Sequence, residues 1–339
     1  MSPTPSIPIR LLLSSHAEQN WGARIAASLP AHSLHIITAE SAAADDAPCT
    51  ANIAFMTREV TGKSSKNNPT PELMRFEAVL RKSPALQWLQ IHPAGAERPL
   101  YRELQDRGVK VTTASGATSV TVAHSALGAL IALNRRFPLL ADAQHRHAWE
   151  PRLGAHAPRD LRDQCAVIVG LGPIGRHLAT LLRMLGLTTI GVRRMADPVP
   201  ECDQTITFAQ LTEALARADW LILCCPASPV TLGLADRKAF AAMPRGSCLI
   251  NVARGEVAVE SDIIDALTSG HLAGAYLDVF AHEPLDPASP LWDLPNVIVS
   301  PHTASHSLGQ NEAIFEIFMD NLRRWRNRQP LRNDIDDLR

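Results

Sequence analysis

C-A-V-I-V-G-L-G-P-I-G, from Cys165 to Gly175, is the stretch that decides the fold of this chain. Its apolar letters A-V-I-V are typical of a parallel strand whose two faces are both covered. Gly170, Gly172 and Gly175 then complete the pattern G-x-G-x-x-G. In that pattern the first glycine permits a tight turn, the second lets the backbone approach a pyrophosphate, and the third lets a helix pack closely on the strand. The stretch therefore predicts a dinucleotide-binding turn.

The residues after this turn predict the rest of a β-α-β unit. An apolar stripe with helical spacing follows, formed by Leu178, Leu181, Leu182 and Leu185 in a helix expected over 176–185. The N-terminus of such a helix directs unpaired N–H groups and the positive end of its dipole at the phosphates. A strand over 188–192 comes next, so the glycine pattern has the neighbours that a dinucleotide site requires.

The end of that second strand indicates which dinucleotide binds. A site selective for NAD carries an acidic residue about 20 positions beyond the glycines, bonded to the ribose 2′-hydroxyl. Here Arg193 and Arg194 stand at the strand end, where there is no Asp or Glu. Two guanidinium groups suit a 2′-phosphate through charge and paired N–H donors, although two arginines at a strand end are also common as solvated surface charge. The sequence predicts NADP(H) as the preferred cofactor, with NAD(H) as the alternative.

Composition bounds the class of protein. The chain has 339 residues, of which 46% are hydrophobic and 20% charged, values typical of a soluble globular protein with two domains. A formal net charge of −1 gives no electrostatic basis for binding nucleic acid or an acidic membrane. The six cysteines lack the spacing of metal ligands, so we expect no metal and buried thiols in a reducing compartment. We recognise no membrane span or signal peptide near the N-terminus, and expect a cytoplasmic protein.

Alternation of short strands and helices predicts an α/β fold of two domains. We expect a Rossmann-type doubly wound parallel sheet over 116–304, which forms the dinucleotide-binding domain. This domain is expected to be inserted into a smaller, flavodoxin-like α/β domain that binds the substrate. The substrate domain is then made of residues 1–115 and 305–339.

Two long helices are expected to connect the domains. The first, over 119–136, is apolar and is expected to end before Pro138, and the second spans 310–328. They would leave a cleft between the domains, where α/β enzymes bind ligands. The stretch over 61–70 is polar and rich in turn formers, and we expect it to be a mobile surface loop.

Polar residues stand at the ends of three predicted strands in the second half of the chain. The three segments are N-V-A-R-G at 251–255, D-V-F-A-H-E-P-L at 278–285 and S-P-H-T-A at 300–304. Strand ends are where such sheets gather their ligand-binding groups. Arg254 is expected to hold a substrate carboxylate, His302 to donate a proton to a carbonyl oxygen, and Glu283 to bond the other imidazole nitrogen. Together these groups are what reduction of a 2-keto acid requires.

Each of these residues also has a structural explanation. Arg254 could pair with Glu256 or Asp262, Glu283 could cap a turn, and His302 is one of thirteen histidines. Taken singly, each role therefore stays open, and only the combination favours catalysis.

The chain resembles the D-isomer-specific 2-hydroxyacid dehydrogenase family. The resemblance covers nearly the whole chain and rests on V-I-V-G-L-G-P-I-G, on C-C-P-A-S-P-V-T at 224–231, on N-V-A-R-G-E, on D-V-F-A-H-E-P-L and on S-P-L-W-D-L-P-N-V-I-V-S-P-H at 289–302, in the family's order. It implies the same catalytic roles for Arg254, Glu283 and His302. It also implies cofactor contacts from Pro173, Ile174, Arg193, Cys225, Pro226, Val252 and Asp278, and we predict Ala253 and Ala304 beside them.

In the first domain, W-L-Q-I-H-P-A-G-A-E resembles the family loop whose backbone amides receive the substrate carboxylate. Ala94, Gly95 and Ala96 are the candidates for that role, since a glycine permits close approach of the backbone, although a plain turn would also explain them. Arg58, after the strand N-I-A-F-M, is a further candidate for contact with the substrate. The chain departs from the family at V-A-H over 122–124, where many relatives read V-A-E, which leaves the local packing open.

The resemblance implies an NAD(P)-dependent oxidoreductase that reduces a small 2-keto acid to the D-2-hydroxy acid, with glyoxylate and hydroxypyruvate as the leading candidates. It also implies a homodimer. Two alternatives stay open. One is an NAD-linked dehydrogenase of a bulkier D-2-hydroxy acid, and the other is a nucleotide-sensing protein like the corepressors of transcription that share this fold. Short ends and the lack of a long disordered region favour the enzyme over the corepressor.

Overall fold

The structure, a computed structural model, describes residues 8–30, 32–62, 69–96, 98–151, 153–154 and 157–338. It divides into two compact units, Met1–Ala117 with Leu308–Arg339, and Thr118–Ser307, which we call the first and the second unit. Of the mobile loop expected over 61–70, residues 63–68 lie outside the described part. In the ranges given above, every helix is too short or too polar to span a bilayer.

Parallel strands form the centre of both units. In the described part of the first unit they are β1 (Ile9–Leu13), β2 (Leu34–Thr38), β3 (Ile53–Met56), β4 (Trp88–Ile91) and β5 (Lys110–Thr112). In the second unit they are β6 (Cys165–Val169), β7 (Thr188–Arg193), β8 (Gln204–Thr207), β9 (Trp220–Leu223), β10 (Ser247–Asn251), β11 (Leu272–Leu277) and β12 (Val297–Val299).

Helices lie between most of these strands along the chain. Those of the first half are α1 (Ser15–Ala27), α2 (Ala39–Ala44), α3 (Arg58–Thr61), α4 (Pro71–Arg81), α5 (Pro99–Asp106), α6 (Ser119–Asn134) and α7 (Phe137–His145). Those of the second half are α8 (Pro173–Met184), α9 (Leu211–Leu215), α10 (Arg237–Ala242), α11 (Glu260–Thr268) and α12 (Gln310–Arg326).

The sheet of the first unit has the order β2-β1-β3-β4-β5. This is the flavodoxin-like order, as predicted. Strands β3 and β4 are buried along their whole length, since apolar side chains pack on both faces of the sheet. On one face α12 contributes Phe318, whose ring stacks on Phe55 with the ring centroids 4.4 Å apart.

The sheet of the second unit has the order β12-β11-β10-β9-β6-β7-β8, with every pairing parallel. The order reverses between β6 and β9, which is the switch point of a Rossmann-type sheet. Two apolar cores cover its faces, so β6, β9 and β10 are buried throughout. The predicted fold class is therefore confirmed for both sheets.

Several helix boundaries differ from the prediction. The helix expected over 119–136 ends at Asn134, and a second helix begins at Phe137 with Pro138 in its first turn. Proline is tolerated there because a first-turn N–H has no partner within the helix. Arg136 separates the two helices with a φ of 60°. The stripe on α8 is one residue shorter than expected, because Leu185 is the C-cap of that helix and is 39% exposed.

Candidate active site

The three glycines of the turn after β6 have three different surroundings. Gly170 has a φ of 98°, and a Cβ there would lie 2.7 Å from the backbone of Cys225. A Cβ on Gly175 would lie 2.0 Å from the carbonyl oxygen of Gly170, so α8 packs directly on the turn. A Cβ on Gly172 would meet no atom within 4 Å. The turn thus combines a strained first position, an open second position and a tightly packed third position, as the glycine pattern predicts.

The N-terminus of α8 suits a phosphate group. Gly172 is the N-cap of this 12-residue helix, and no side chain caps it. Pro173 occupies the first turn together with Ile174, and the first turn holds no acidic residue. An anion at this end would meet backbone N–H donors and the positive end of the helix dipole. The residues Gly172–Gly175 therefore fit the pyrophosphate of a dinucleotide.

Two arginines stand at the carboxyl end of β7. Arg193 is the last residue of the strand and is partly buried, and Arg194 follows it and is exposed. Within the described residues, neither guanidinium group has a hydrogen-bond or ion-pair partner. No carboxylate of the described residues therefore pairs with either group, and an anion such as a phosphate would be attracted to this strand end.

The other predicted cofactor residues follow the central strands. Cys225, Val252, Ala253 and Ala304 are buried, whereas Pro226 is exposed. Cys225 contacts the glycine turn through its backbone, at the switch point between β6 and β9. Burial raises the pKa of its thiol to about 11, so the side chain is an uncharged packing group at neutral pH. The cofactor contacts of these five residues stay predictions.

A histidine and a glutamate are paired in the second unit. His302 Nδ1 lies 2.8 Å from Glu283 Oε2. The hydrogen bond with Glu283 is the largest cause that raises the pKa of His302, and it outweighs the opposing effect of burial. Burial raises the pKa of Glu283, but the hydrogen bonds from His302 and from Phe280 N outweigh it, so this pKa is lowered. With Nδ1 bound to the carboxylate, Nε2 is the nitrogen that can exchange a proton with a ligand.

Arg254 belongs to the same electrostatic group. Its positive charge lowers the pKa of both Glu283 and His302, and its Nη1 donates to the carbonyl oxygen of Ala253 at 2.7 Å. The next residue, Gly255, lets the loop of Arg254 approach the loop of Glu283. A Cβ at Gly255 would lie 1.8 Å from the carbonyl carbon of Phe280, so only glycine fits there. The loops that carry Arg254 and Glu283 are therefore in direct backbone contact, and the structure brings all three predicted catalytic residues together.

Asp278 braces the loop that carries His302. Its Oδ1 accepts hydrogen bonds from Ser300 Oγ at 2.6 Å, Thr303 N at 2.8 Å and Ala304 N at 3.0 Å. Its carbonyl oxygen accepts from His302 N at 2.8 Å, while His302 adopts a φ of 53°, in the left-handed region. This strained backbone persists because the surrounding hydrogen bonds hold it. The cofactor contact predicted for Asp278 remains a prediction.

Sequence reasoning assigned no role to Ser300 or Gly255. Ser300 stands between Asp278 and the hydroxyl group of Tyr276, whose Oη lies 2.9 Å from Ser300 Oγ. Gly255 lies within the motif N-V-A-R-G, where its need for close approach could have been suspected. For Ser300 the only signal is its place directly before P-H at the end of β12.

The candidate substrate residues of the first unit follow β3 and β4. Ala94 is exposed, Gly95 and Ala96 are partly buried, and the loop is tied down by a hydrogen bond from Ala114 N to the carbonyl oxygen of Pro93 at 3.1 Å. Arg58 begins α3, and its Nη1 contacts Oε1 of Gln310. These positions leave their substrate-binding roles as predictions.

No group of three or more His, Cys, Asp or Glu side chains that could hold a metal ion occurs within the described part of the chain. The six cysteines are free thiols, and burial raises the pKa of Cys202 to about 11 and of Cys248 to about 12. These two thiols are therefore uncharged at neutral pH.

Two proteins of known name are similar to this chain over part of their length. The chain is 31% identical to the D-3-phosphoglycerate dehydrogenase of Mycobacterium tuberculosis (strain ATCC 25618 / H37Rv) over 236 residues, which cover 69% of this chain and 44% of that protein. It is 29% identical to the glyoxylate reductase/hydroxypyruvate reductase of Mus musculus over 217 residues, covering 62% of this chain and 65% of that one. The match thus spans less than half the length of the mycobacterial relative and about two thirds of the murine one.

A solved structure and a family model agree with these relatives. The D-isomer specific 2-hydroxyacid dehydrogenase from Xanthobacter autotrophicus Py2, in complex with NADPH and MES, superposes with a TM-score of 0.77 at 27% identity, covering 97% of this chain and 98% of that chain. Residues 127–304, more than half of the chain, match the family model described as D-isomer specific 2-hydroxyacid dehydrogenase, NAD binding domain. The chain therefore belongs to the D-isomer-specific 2-hydroxyacid dehydrogenases, a family of NAD(P)-dependent oxidoreductases.

Proposed function

We propose that this chain reduces a small 2-keto acid, such as glyoxylate or hydroxypyruvate, to the D-2-hydroxy acid with NADPH as the preferred reductant. The observation that carries the proposal is the His302–Glu283 pair, with Nδ1 and Oε2 2.8 Å apart and the charge of Arg254 acting on both groups. We assign substrate binding to the domain made of 1–115 and 305–339, and dinucleotide binding to 116–304.

Each of the three side chains has one task in this reaction. The nicotinamide, when bound, supplies hydride to C2 of the keto acid. His302 donates the proton on Nε2 to the carbonyl oxygen, and Glu283 stabilises the charged imidazole and holds its orientation. Arg254 binds the substrate carboxylate through its guanidinium N–H groups and polarises the carbonyl. The raised pKa of His302 supports this assignment, because the proton donor must be charged near neutral pH.

In this proposal the loop after β4 also binds the substrate carboxylate. We assign Ala94, Gly95 and Ala96 as backbone donors to the carboxylate, with Arg58 as a further contact. A carboxylate bound by backbone N–H groups and by a guanidinium group is fixed in orientation as well as position. The homodimer predicted from the family resemblance stays a prediction.

Steady-state kinetics test the proposal directly. Glyoxylate, hydroxypyruvate, pyruvate and phenylpyruvate are each offered with NADPH and with NADH, and the loss of reduced-nicotinamide absorbance is followed. We expect turnover of the two small acids, and a higher kcat/KM with NADPH. Turnover of phenylpyruvate alone would instead favour a bulkier D-2-hydroxy acid. Dinucleotide binding without turnover of any acid would contradict the proposed reaction and favour a sensing role.

The arginines at the end of β7 carry the cofactor preference. Arg193→Asp places a carboxylate opposite the 2′-phosphate, so we expect the KM for NADPH to rise by about tenfold or more, with a much smaller change for NADH. Arg217→Asp is the matched control, because Arg217 is exposed in the same unit and makes no side-chain hydrogen bond within the described residues. Equal effects of Arg193→Asp on both cofactors would mean that the arginines are surface charge only.

A further inference from the structure

A serine hydroxyl group connects two buried side chains beside the loop of His302. Ser300 directly follows β12, two residues before His302. Its Oγ lies 2.6 Å from Asp278 Oδ1 and 2.9 Å from Tyr276 Oη. Tyr276 is on the neighbouring strand β11 and Asp278 directly follows that strand, and both residues are buried. We call Tyr276, Ser300 and Asp278 the Tyr-Ser-Asp group.

The hydrogen bonds of this group run in one direction. A serine hydroxyl has one proton to donate, and an ionised carboxylate can only accept. The separation of 2.6 Å fits a hydroxyl that donates to a carboxylate, and the longer one of 2.9 Å fits a bond between two neutral hydroxyls. Burial raises the pKa of Tyr276, so its phenol keeps its proton at neutral pH. Tyr276 therefore donates to Ser300, and Ser300 donates to Asp278.

Asp278 in turn holds the backbone on both sides of the imidazole. The oxygen that accepts from Ser300 also accepts from Thr303 N at 2.8 Å and from Ala304 N at 3.0 Å. The carbonyl oxygen of Asp278 accepts from His302 N at 2.8 Å. His302 has a φ of 53°, which a residue other than glycine keeps only where its surroundings hold it. The position of Asp278 therefore decides where the His302 backbone lies.

Ser300 supplies the side-chain part of this hold. Among the described residues, the donors to the carboxylate of Asp278 are the Ser300 hydroxyl and the two backbone N–H groups of Thr303 and Ala304. The two N–H groups belong to the loop that must be held, whereas the hydroxyl comes from the end of β12. A hydrogen bond to a charged acceptor is stronger than one between neutral groups. Ser300 therefore anchors the carboxylate to the sheet.

We propose that Ser300 is a positioning residue for keto-acid reduction, which fixes the Asp278 carboxylate and through it the His302 imidazole, and that Tyr276 fixes the Ser300 hydroxyl. The proposal rests on the proposed function, in which His302 protonates the carbonyl oxygen. The imidazole must direct Nε2 at that oxygen while Nδ1 stays bonded to Glu283, and a small displacement costs rate. Substrate binding through Arg254 is left intact, so kcat rather than KM should respond.

The variant Ser300→Ala removes the central hydroxyl group. We expect kcat to fall by about tenfold, with the KM for glyoxylate and for NADPH within about twofold of the wild type. Ser300→Thr keeps the hydroxyl, and its kcat should stay within about threefold of the wild type. Ser247→Ala is the matched control, because Ser247 is buried in the same unit and its Oγ makes no hydrogen bond with the described residues. It should change neither constant.

The variant Tyr276→Phe tests the first bond of the group. It removes the proton that Ser300 accepts and leaves the bond from Ser300 to Asp278 in place, so we expect kcat to fall by about threefold. In the Ser300→Ala background the phenol has already lost its acceptor, so the same substitution should lower kcat no further. Equal losses in the two backgrounds, or no loss in the wild-type background, would overturn the role of Tyr276.

A proton NMR resonance tests the position of the imidazole without turnover. The Nδ1 proton of a histidine bonded to a carboxylate resonates far downfield, and the loss of this signal in His302→Ala assigns it. We expect Ser300→Ala to broaden or remove the resonance, because the imidazole no longer stays on Glu283. Ser300→Thr and Ser247→Ala should retain it.

The possible failures are distinguishable. If the wild type reduces keto acids and the kcat of Ser300→Ala stays within about twofold of it, the role of Ser300 is overturned and the proposed function stands. A loss of the same size in Ser300→Thr also overturns that role, because the hydroxyl would then not matter. Ser300→Thr and Ser300→Val have side chains of one shape that differ in the hydroxyl, and they repeat the comparison if Ser300→Ala does not fold.

The NMR resonance separates this proposal from the proposed function. If the wild type reduces no keto acid, the proposed function fails and the resonance alone decides whether Ser300 positions His302. Its loss in Ser300→Ala, with retention in Ser247→Ala, supports the positioning. An unchanged resonance in Ser300→Ala overturns it.

Discussion

His302 and His92 each follow a parallel strand, one in each unit, and have opposite surroundings. His302 donates to the carboxylate of Glu283, which raises the pKa of the imidazole. His92 donates to the neutral hydroxyl of Thr61 and lies near two guanidinium groups, and its pKa is lowered to about 3. At neutral pH the first ring can therefore hold a proton for transfer, whereas the second cannot.

The comparison shows that a histidine at a strand end is not by itself a proton donor. The sign of the neighbouring charge decides its protonation state, and the hydrogen-bond partner decides which nitrogen is available. In the second unit the chain places a carboxylate next to the ring. In the first unit burial and two arginines act on the ring, and both disfavour its charged form. Three substitutions test this difference.

Removal of His302 should have the largest effect. We expect His302→Ala to lower kcat by about 10²–10⁴-fold, since a positioned general acid contributes about that much. The KM for NADPH should stay within about twofold, because the proposed dinucleotide contacts lie elsewhere. His282→Ala serves as the control, since His282 is an exposed imidazole one residue before Glu283. Near-normal turnover of His302→Ala at neutral pH would exclude this residue as the proton donor.

Removal of the charge on Glu283 should have an intermediate effect. Keto-acid reduction needs protonated His302, so the rate falls as the pH rises through the raised pKa of this residue. Glu283→Gln lowers that pKa, and we expect the alkaline limb of kcat to move about one unit to lower pH, with kcat about tenfold lower at pH 8. A pH profile of wild type and variant checks this. A parallel loss at every pH would mean that Glu283 only positions the ring.

The hydrogen bond between His302 and Glu283 also contributes to the stability of the folded protein, and this contribution depends on pH. The raised pKa of His302 means that its share of the stabilisation is present at low pH and is lost as the pH rises through that value. The lowered pKa of Glu283 means that its share is lost as the pH falls through its own value. Both side chains are substantially exposed, at 49% and 36%, so solvent screening keeps this contribution small.

The sequence was sufficient to predict the parallel sheets and the glycine turn. Apolar runs such as A-V-I-V identify buried strands locally, and the glycine pattern carries its own geometric requirements. The helix α7 was missed because Pro138 was taken as the end of α6, although a proline in a first turn is compatible with a new helix. A proline can follow the end of one helix or stand in the first turn of the next, and the sequence alone does not distinguish the two.

The network around the site could not be predicted in the same way. The contact of Gly255 with the Phe280 carbonyl and the bond of Ser300 to Asp278 join segments that are 22 to 25 residues apart in sequence. The state of His92 depends on Thr61 and Arg58, more than 30 positions earlier. Residue type and spacing indicate which side chains are candidates for the site. The protonation state of each histidine depends on neighbours from distant parts of the sequence, so it requires the folded structure.

The smallest expected effect concerns His92. Its folded-state pKa of about 3 is below the unfolded value of 6.5, so the unfolded chain binds the proton first. Stability should therefore fall as the pH drops below about 6.5. His92→Asn keeps an N–H donor for Thr61 but does not titrate, so we expect it to lose about 2 kcal/mol less stability than the wild type between pH 7 and pH 5. Urea denaturation at both pH values measures this, with His282→Asn as the control. If His92→Asn and the wild type lost equal stability, His92 would be protonated at pH 5 in the folded state, and the contrast with His302 would fail.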